Sequence, residues 1–244
     1  MSVGLSLVFP VWNEQDNVGP LLDAALRLGE RLGRSFEIVV VDDGSADQSR
    51  IVIERRREVH PEIRVVTHPS NRGYGAALRS GLREARGDLV FFSDADLQFD
   101  LEELESLLAH TDRFDIVAGY RAKRRDPLSR RVLAFGWGVL VGVLFDLRVR
   151  DIDCAFKVFR RHVLDEIPIA SIGAFVNTEI LVRARSAGFR IQQVPVSHRP
   201  RLRGRQSGAH PRVILRALFE LFILFRELRG PARARHLSTE PPRA

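Results

Sequence analysis

Two aspartates and a glutamine stand at alternate positions in Phe91-Phe92-Ser93-Asp94-Ala95-Asp96-Leu97-Gln98. The residues just before them, Leu89 to Phe92, are apolar and read as a buried strand. Alternate residues of an extended chain share a face. Asp94, Asp96 and Gln98 are therefore expected to project one cluster of oxygens from the carboxyl edge of a sheet, the edge where open α/β sheets bind ligands. Such clusters suit hard cations, Mg²⁺ or Mn²⁺, which are commonly shared with substrate phosphates. A bare Asp-x-Asp equally fits a strand that ends in a solvated turn, so the neighbouring segments decide.

Two further strand ends carry polar groups: Pro10-Val11-Trp12-Asn13-Glu14 and Val41-Asp42-Asp43-Gly44-Ser45. Carboxylates placed there can accept hydrogen bonds from a base N–H or ribose hydroxyls. Each segment also has a plain reading, since Asp-Asp-Gly-Ser makes a tight turn and Asn13 a helix cap. Their recurrence at successive strand ends favours one shared crevice. Asn71-Arg72-Gly73-Tyr74-Gly75-Ala76-Ala77 superficially suggests phosphate binding at a helix N-terminus. It contains neither G-x-G-x-x-G nor a P-loop, and its glycines are expected to serve the turn and close packing, with Arg72 near the ligand.

Positioning these tips requires a regular scaffold. Apolar, β-branched runs at Leu5–Pro10, Phe36–Val41, Ile63–Thr67, Leu89–Ser93 and Asp115–Ala118 alternate with helix-like stretches near 16–33, 47–59, 74–86 and 101–109. That alternation predicts an α/β fold with a parallel, doubly wound sheet. After Tyr120 the pattern changes. An arginine-rich loop covers residues 121–131, and an almost wholly apolar stretch covers 132–147. A strand is expected at Cys154–Arg160, a helix at Gly173–Ser186 and a strand at Phe189–Ser197. A basic loop follows at 198–212, then an amphipathic helix at 212–228. Residues 229–244, rich in Pro and Arg, read as a disordered tail. The domain reading is one unit over 1–211, divided into a first half (1–120) and a second half (121–211), followed by the helix and the tail.

With 244 residues the chain fits one such domain. Cys154 is the only cysteine, which excludes a disulfide framework and favours a reducing compartment. No signal peptide is expected from the N-terminus, nor a membrane span from any uncharged run. Charge is uneven: 13 basic and 21 acidic side chains in residues 1–120 give net −8, whereas 25 basic and 10 acidic in 121–244 give net +15. A basic half implies an anionic partner. Nucleic acid fits poorly, because the aromatics cluster in apolar helices instead of interleaving with the arginines.

Pro10-x-x-Asn13-Glu14, Val41-Asp42-Asp43-Gly44-Ser45, Asn71-x-Gly73-x-Gly75-x-Ala77 and Asp94-Ala95-Asp96-Leu97-Gln98, in this order, resemble a family 2 glycosyltransferase, nearest to the dolichol/polyprenol-phosphate mannose synthase branch. The resemblance covers about residues 5–210. It implies the GT-A fold, a Rossmann-like, mostly parallel sheet with helices on both faces. Pro10, Trp12, Glu14, Val40, Asp42 and Asp43 would hold the base and ribose, with Trp12 where the family often has tyrosine. Asp94 and Ala95 would line the donor, Val117 and Arg121 would lie beside it, and Asp96 and Gln98 would ligate the metal. Asp151-x-x-x-Ala155-Phe156-Lys157 is similar to the acceptor-side motif, with Ala155 for glycine. Arg201-x-x-Gly204-x-Gln206-Ser207 is similar to the late phosphate-contacting loop, with Ser207 where better-known members have lysine. Gln193-Val194-Pro195 stands where Glu-x-Pro is common.

The implied reaction is a metal-dependent, inverting transfer of mannose or glucose from GDP-mannose or UDP-glucose to polyprenyl phosphate. A phosphate acceptor is already ionised near pH 7 and needs positioning more than a base. Arg121, Arg124, Arg125, Arg130, Arg131, Arg201, Arg203 and Arg205 are the expected anion contacts. The alternative acceptor is a glycan or lipid-linked hydroxyl, for which Asp151 or Asp153 is the first base candidate. The two late apolar stretches either lie in a membrane interface or bury internally. The expected location is cytoplasmic, peripheral at the cytoplasmic face of a membrane, with a membrane-protein partner as a further expectation.

Overall fold

The computed structural model describes residues 3–122, 128–200 and 211–229. Its elements run β1 (Leu5–Val11), α1 (Val18–Arg31), β2 (Phe36–Asp42), α2 (Ser49–Arg57), β3 (Ile63–Thr67), α3 (Tyr74–Glu84), β4 (Leu89–Ser93), a 3₁₀ turn at Leu101–Glu103, α4 (Leu104–Leu108), β5 (Ile116–Arg121), α5 (Leu128–Phe145), β6 (Phe156–Arg160), α6 (Arg161–Glu166), α7 (Val176–Ser186), β7 (Ile191–Val196) and α8 (Pro211–Arg229).

Seven strands form one sheet in the order β3-β2-β1-β4-β6-β5-β7. The pairs β1/β2, β2/β3, β1/β4 and β5/β7 are parallel, and β6 runs antiparallel to both β4 and β5. β1 is buried along its whole length, and a strand with no exposed face must be covered on both. α1 contributes Val18, Leu21, Leu22, Ala25 and Leu28 to that cover at helical spacing. Aromatic rings fill the centre: Phe91 meets Phe156 edge-on at 4.7 Å, and Phe92 stacks on Phe159 at 5.9 Å.

The expected two halves share this sheet, because β6, from the second half, lies between β4 and β5 of the first. Several boundaries differ from expectation. β6 begins at Phe156 instead of Cys154, α7 at Val176 instead of Gly173, and β7 spans Ile191–Val196 instead of Phe189–Ser197; β1 and β2 run one residue further, β5 spans Ile116–Arg121, and α5 begins at Leu128 inside the expected loop. The first shift has a visible cause. The buried Lys157 amine donates to the Ile152 and Cys154 carbonyls and to Asn177 Oδ1, which folds 152–154 into a turn. Arg124, Arg125, Arg201, Ser207 and the rest of the loop at 201–210 lie outside the described residues, as do the side chains of Arg130 and Arg131 and the stretch 230–244.

Candidate active site

The strand order places a crevice between the tips of β1 and β4, where the winding of the sheet reverses. Val11 of β1 pairs with Asp42 of β2, and Val8 of β1 with Phe92 of β4, so the β2, β1 and β4 tips emerge together. The antiparallel β6 reaches the same edge with its entry instead of its exit, since Phe156 pairs with Ser93. Loop 151–155 thereby arrives beside Asp94, and Arg121, at the exit of β5, meets it.

On the β1/β2 side, loops 13–15 and 45–49 are stitched together. Asn13 Oδ1 accepts from the Ala46 N–H at 2.8 Å, Ser45 Oγ accepts from the Asn13 N–H at 3.0 Å, and Ser49 Oγ accepts from the Glu14 N–H at 2.8 Å. Asn13 sits at φ 56, a left-handed conformation that asparagine tolerates better than most residues. Trp12 is half-exposed at the tip. Asp42 is buried and takes the Ser45 N–H. Glu14 Oε2 holds Asn17 at 2.6 Å. Pro10 lies beyond Val8, the last residue of β1 paired with β4, so its missing N–H costs that ladder nothing. Val40 and Val117 are fully buried inside the sheet and present no exposed surface.

Asp43 faces inward. Its carboxylate accepts from the Arg72 and Gly73 N–H groups at 2.9 Å each and pairs with His68 Nδ1 at 2.6 Å, while His68 Nε2 meets Ser80 Oγ. The N–H groups of Gly75 and Ala76 go to the Ile172 carbonyl. The amides opening α3 are thus satisfied by protein, in keeping with the packing role expected of its glycines.

The Asp94–Gln98 segment departs from the extended geometry expected of it. β4 ends at Ser93, and Leu97 takes φ 59, a left-handed turn. Asp96 Oδ1 accepts from the Gln98 N–H at 3.2 Å, and the Gln98 side chain turns to donate Nε2 to the Arg199 carbonyl at 2.9 Å. A turn wins here because Asp96 hydrogen-bonds to the backbone two residues on, the local bond that favours Asp in turns. All three residues remain at the β4 tip.

Asp94 is the most perturbed carboxylate of the site. Burial, and next the charge of Asp96, push it up to about 7 against the pull of Tyr74, Lys157 and Arg121. Its Oδ1 is buried without a hydrogen-bond partner. Such an atom beside a second carboxylate fits a site completed by something other than this chain. A hard cation is one such group, because Mg²⁺ is usually held by one or two carboxylates together with substrate phosphates. No group of three or more metal-binding side chains occurs among the described residues, so protein ligands alone do not form a cage. Ala95 is buried beside the two carboxylates.

Across the crevice, Arg121 binds Asp151 through Nε at 2.6 Å and NH2 at 2.7 Å. The base candidate Asp151 is therefore locked in an ion pair, whereas Asp153 is exposed. Gln193, which the sequence placed in a Glu-x-Pro-like motif, accepts from the Arg150 N–H at 2.6 Å and donates to the Arg148 carbonyl at 3.0 Å, holding the loop before Asp151. Asn177 and Glu179 were missed as supports, and Lys157 was named only as part of the acceptor-side motif. Polar side chains at buried positions, as these are, are the signal that only a structure supplies.

Residues 6–168 match the family model of Glycosyl transferase family 2. The chain belongs to that family. It is 28% identical to a dodecaprenyl-phosphate galacturonate synthase of Rhizobium johnstonii, over 96% of this chain and 70% of the relative. It is 35% identical to the dolichyl-phosphate β-glucosyltransferase ALG5A of Trichomonas vaginalis, over 80% of this chain and 65% of the relative. The chain thus spans about two thirds of these curated relatives. Glucosyl-3-phosphoglycerate synthase of Mycobacterium tuberculosis, solved in complex with UDP, superposes with a TM-score of 0.71 at 20% identity, covering 93% of this chain and 80% of that one. The likeness is one of fold, and that fold is GT-A.

The late helices present an apolar surface. α8 packs Leu221 and Leu224 inward, and its half-exposed Glu227 is bound by Arg183 of α7 through two hydrogen bonds of 2.8 Å. It leaves Leu215, Leu218, Phe219, Phe222 and Ile223 exposed. α5 docks on α7 through Trp137 Nε1 and Thr178 Oγ1 at 3.1 Å and likewise exposes Val132, Leu133, Phe135 and Val143. No helix among the described residues is long and apolar enough to cross a membrane.

Proposed function

We propose that this protein transfers a hexose, glucose or mannose, from a nucleotide-sugar to polyprenyl phosphate, with inversion at the anomeric carbon, at a membrane surface. The reading is carried by what faces the crevice from the acceptor side: a guanidinium that has already captured the nearest buried carboxylate. A hydroxyl acceptor would need a base, and Asp151, the first candidate, already serves Arg121. A phosphate acceptor brings its own charge and needs compensation instead.

In this reading Trp12 offers its exposed face to the base, and Asp42 and Glu14 frame the ribose. The acceptor phosphate oxygen attacks the anomeric carbon as the bond to the nucleoside diphosphate breaks. Arg121 stands at the edge where the charge is exchanged, and orientation by the stitched loops supplies much of the advantage. Asp96, with Gln98 Oε1 and diphosphate oxygens, would hold Mg²⁺ or Mn²⁺, which neutralises leaving-group charge when bound. The M. tuberculosis synthase, solved with Mn²⁺ and UDP-glucose, and the two polyprenyl- and dolichyl-phosphate relatives support this assignment. The outward apolar faces of α5 and α8, with Arg226 and Arg229 beside Phe222 and Phe225, match an interfacial seat for a lipid-linked acceptor.

The test is incubation with polyprenyl phosphate in vesicles, Mg²⁺ or Mn²⁺ and a panel of labelled nucleotide-sugars. The expected product is organic-phase label that mild acid releases and that Asp96→Ala abolishes while the variant stays folded. Acid-stable label would point to a hydroxyl acceptor, and undiminished turnover by Asp96→Ala would reject its role.

A further inference from the structure

Residues 120–121 and 150–151 cross at the exit of β5. Arg121 reaches Asp151 through two hydrogen bonds, and Arg150 reaches back to Tyr120. The two guanidiniums keep different company. That of Arg121 is compensated by the Asp151 carboxylate. That of Arg150 is exposed, donates from NH1 to Tyr120 Oη at 3.1 Å and stands over the phenol ring at 5.0 Å. No carboxylate pairs with it among the described residues. Holding a long charged side chain in one geometry costs conformational entropy. A cation that is stacked, bonded and left without a counterion is therefore pre-ordered for an anion from outside.

The main chain of Arg150 is fixed as well. Gln193 of β7 accepts from the Arg150 N–H at 2.6 Å and donates to the Arg148 carbonyl at 3.0 Å. That bracket needs an amide. A glutamate could take the first bond but not give the second, and it would set a negative charge beside the guanidinium.

We infer, resting on the function proposed above, that Arg150 is a specificity-determining contact for the acceptor phosphate, with Tyr120 and Gln193 as its positioning residues. A guanidinium's planar fork matches phosphate oxygens, and Tyr120 occupies one of its five N–H groups. Place selects the acceptor over the donor. Residues 146–150 join α5, with its exposed apolar face, to the loop that opens at Asp151. The loops at 13–15 and 45–49 follow β1 and β2, on the other side of β4. Charge selects a phosphate monoester over the diester of a bilayer lipid. A terminal phosphate carries about −1.5 to −2 near pH 7, and a cation beside the already compensated Arg121 answers the added charge.

The experiment measures transfer to polyprenyl phosphate in vesicles by wild type, Arg150→Gln, Arg150→Lys and Gln193→Glu, with sedimentation on acceptor-free anionic vesicles and thermal unfolding alongside. Arg150→Gln should raise the acceptor KM by about 10–100-fold, the range of a charged hydrogen bond, with donor KM, vesicle binding and unfolding temperature unmoved. A loss that falls on KM more than on kcat is the mark of a removed binding contact. Arg150→Lys should recover only part of it, lacking the planar fork. Gln193→Glu should move the acceptor KM in the same direction. An unchanged acceptor KM in Arg150→Gln overturns the contact. So does an equal rise in donor KM or a marked drop in unfolding temperature, either of which would show a general disturbance of the loop. Lost sedimentation on acceptor-free vesicles would give the guanidinium to a bilayer phosphodiester and also overturns it. A wild type that transfers sugar to no polyprenyl phosphate overturns the parent reading instead, and the contact with it.

Discussion

Arg121 and Asp151 meet as a two-pronged pair, Nε to Oδ2 at 2.6 Å and NH2 to Oδ1 at 2.7 Å, with both side chains largely buried. Breaking a buried pair from one side leaves a charge uncompensated and costs about 3–5 kcal/mol. Asp151→Asn is therefore expected to lower unfolding free energy by about 3 kcal/mol and turnover by at least ~10-fold, read from urea denaturation and product formation on the same preparation. An unchanged urea midpoint would contradict the pairing.

Gly75 illustrates a glycine required by proximity. A methyl group there would lie 2.6 Å from the Ser171 and Gly173 carbonyl oxygens, both backbone atoms that cannot swing away. Gly75→Ala should destabilise the fold by ~2 kcal/mol or more, although alanine is the better helix former. A more stable variant would mean that the 171–173 segment does not sit over α3.

Burial pushes the Cys154 thiol up to about 12 from 9.0. The unfolded thiol loses its proton first as pH rises, so the thiol's contribution is fully present below about pH 9. It is then lost at about 1.4 kcal/mol per pH unit until about pH 12. The difference in unfolding free energy between wild type and Cys154→Ala should narrow across that window, and the native thiol should resist alkylation at pH 8. Rapid labelling of the folded protein would refute both.

The exposed face of α8 gives a separable test. Phe219 and Phe222 lie outside the core, and α8 stays docked through Arg183 and Glu227. Phe219→Ser with Phe222→Ser is expected to weaken sedimentation with anionic vesicles by ~30-fold or more, from about 1 kcal/mol or more per ring, while leaving the unfolding temperature unchanged. Vesicle binding that survives the double change would assign this face to another neighbour.

How much of this could be read without coordinates depends on which force set each element. β3 and β4 begin and end at the expected residues, Ile63–Thr67 and Leu89–Ser93, because dense apolar, β-branched or aromatic runs bounded by polar turns leave little choice. The convergence of Asp42, Asp94 and Asp96 on one edge followed from that periodicity alone. The reversed direction of β6 did not, since pairing partners are set by distant surfaces that a local pattern cannot register. The same limit hid the turn at Leu97, where a side-chain bond from Asp96 overrides alternation, and the inward face of Asp43. It hid the bonding of Lys157 too, which the sequence placed in an acceptor-side motif and which three acceptors surround.

The backward course of β6 separates two rates of change. Every other tip at the crevice follows a strand that also builds the floor, so lengthening one disturbs the scaffold. The connection ahead of β6 lies at the rim, held by Gln193, by the two-pronged Arg121–Asp151 pair and by the Lys157 amine. On the function proposed above, residues inserted there would remodel the acceptor side of the crevice without lengthening a strand. On that reading, acceptor choice can change through this one connection while the strands stay as they are.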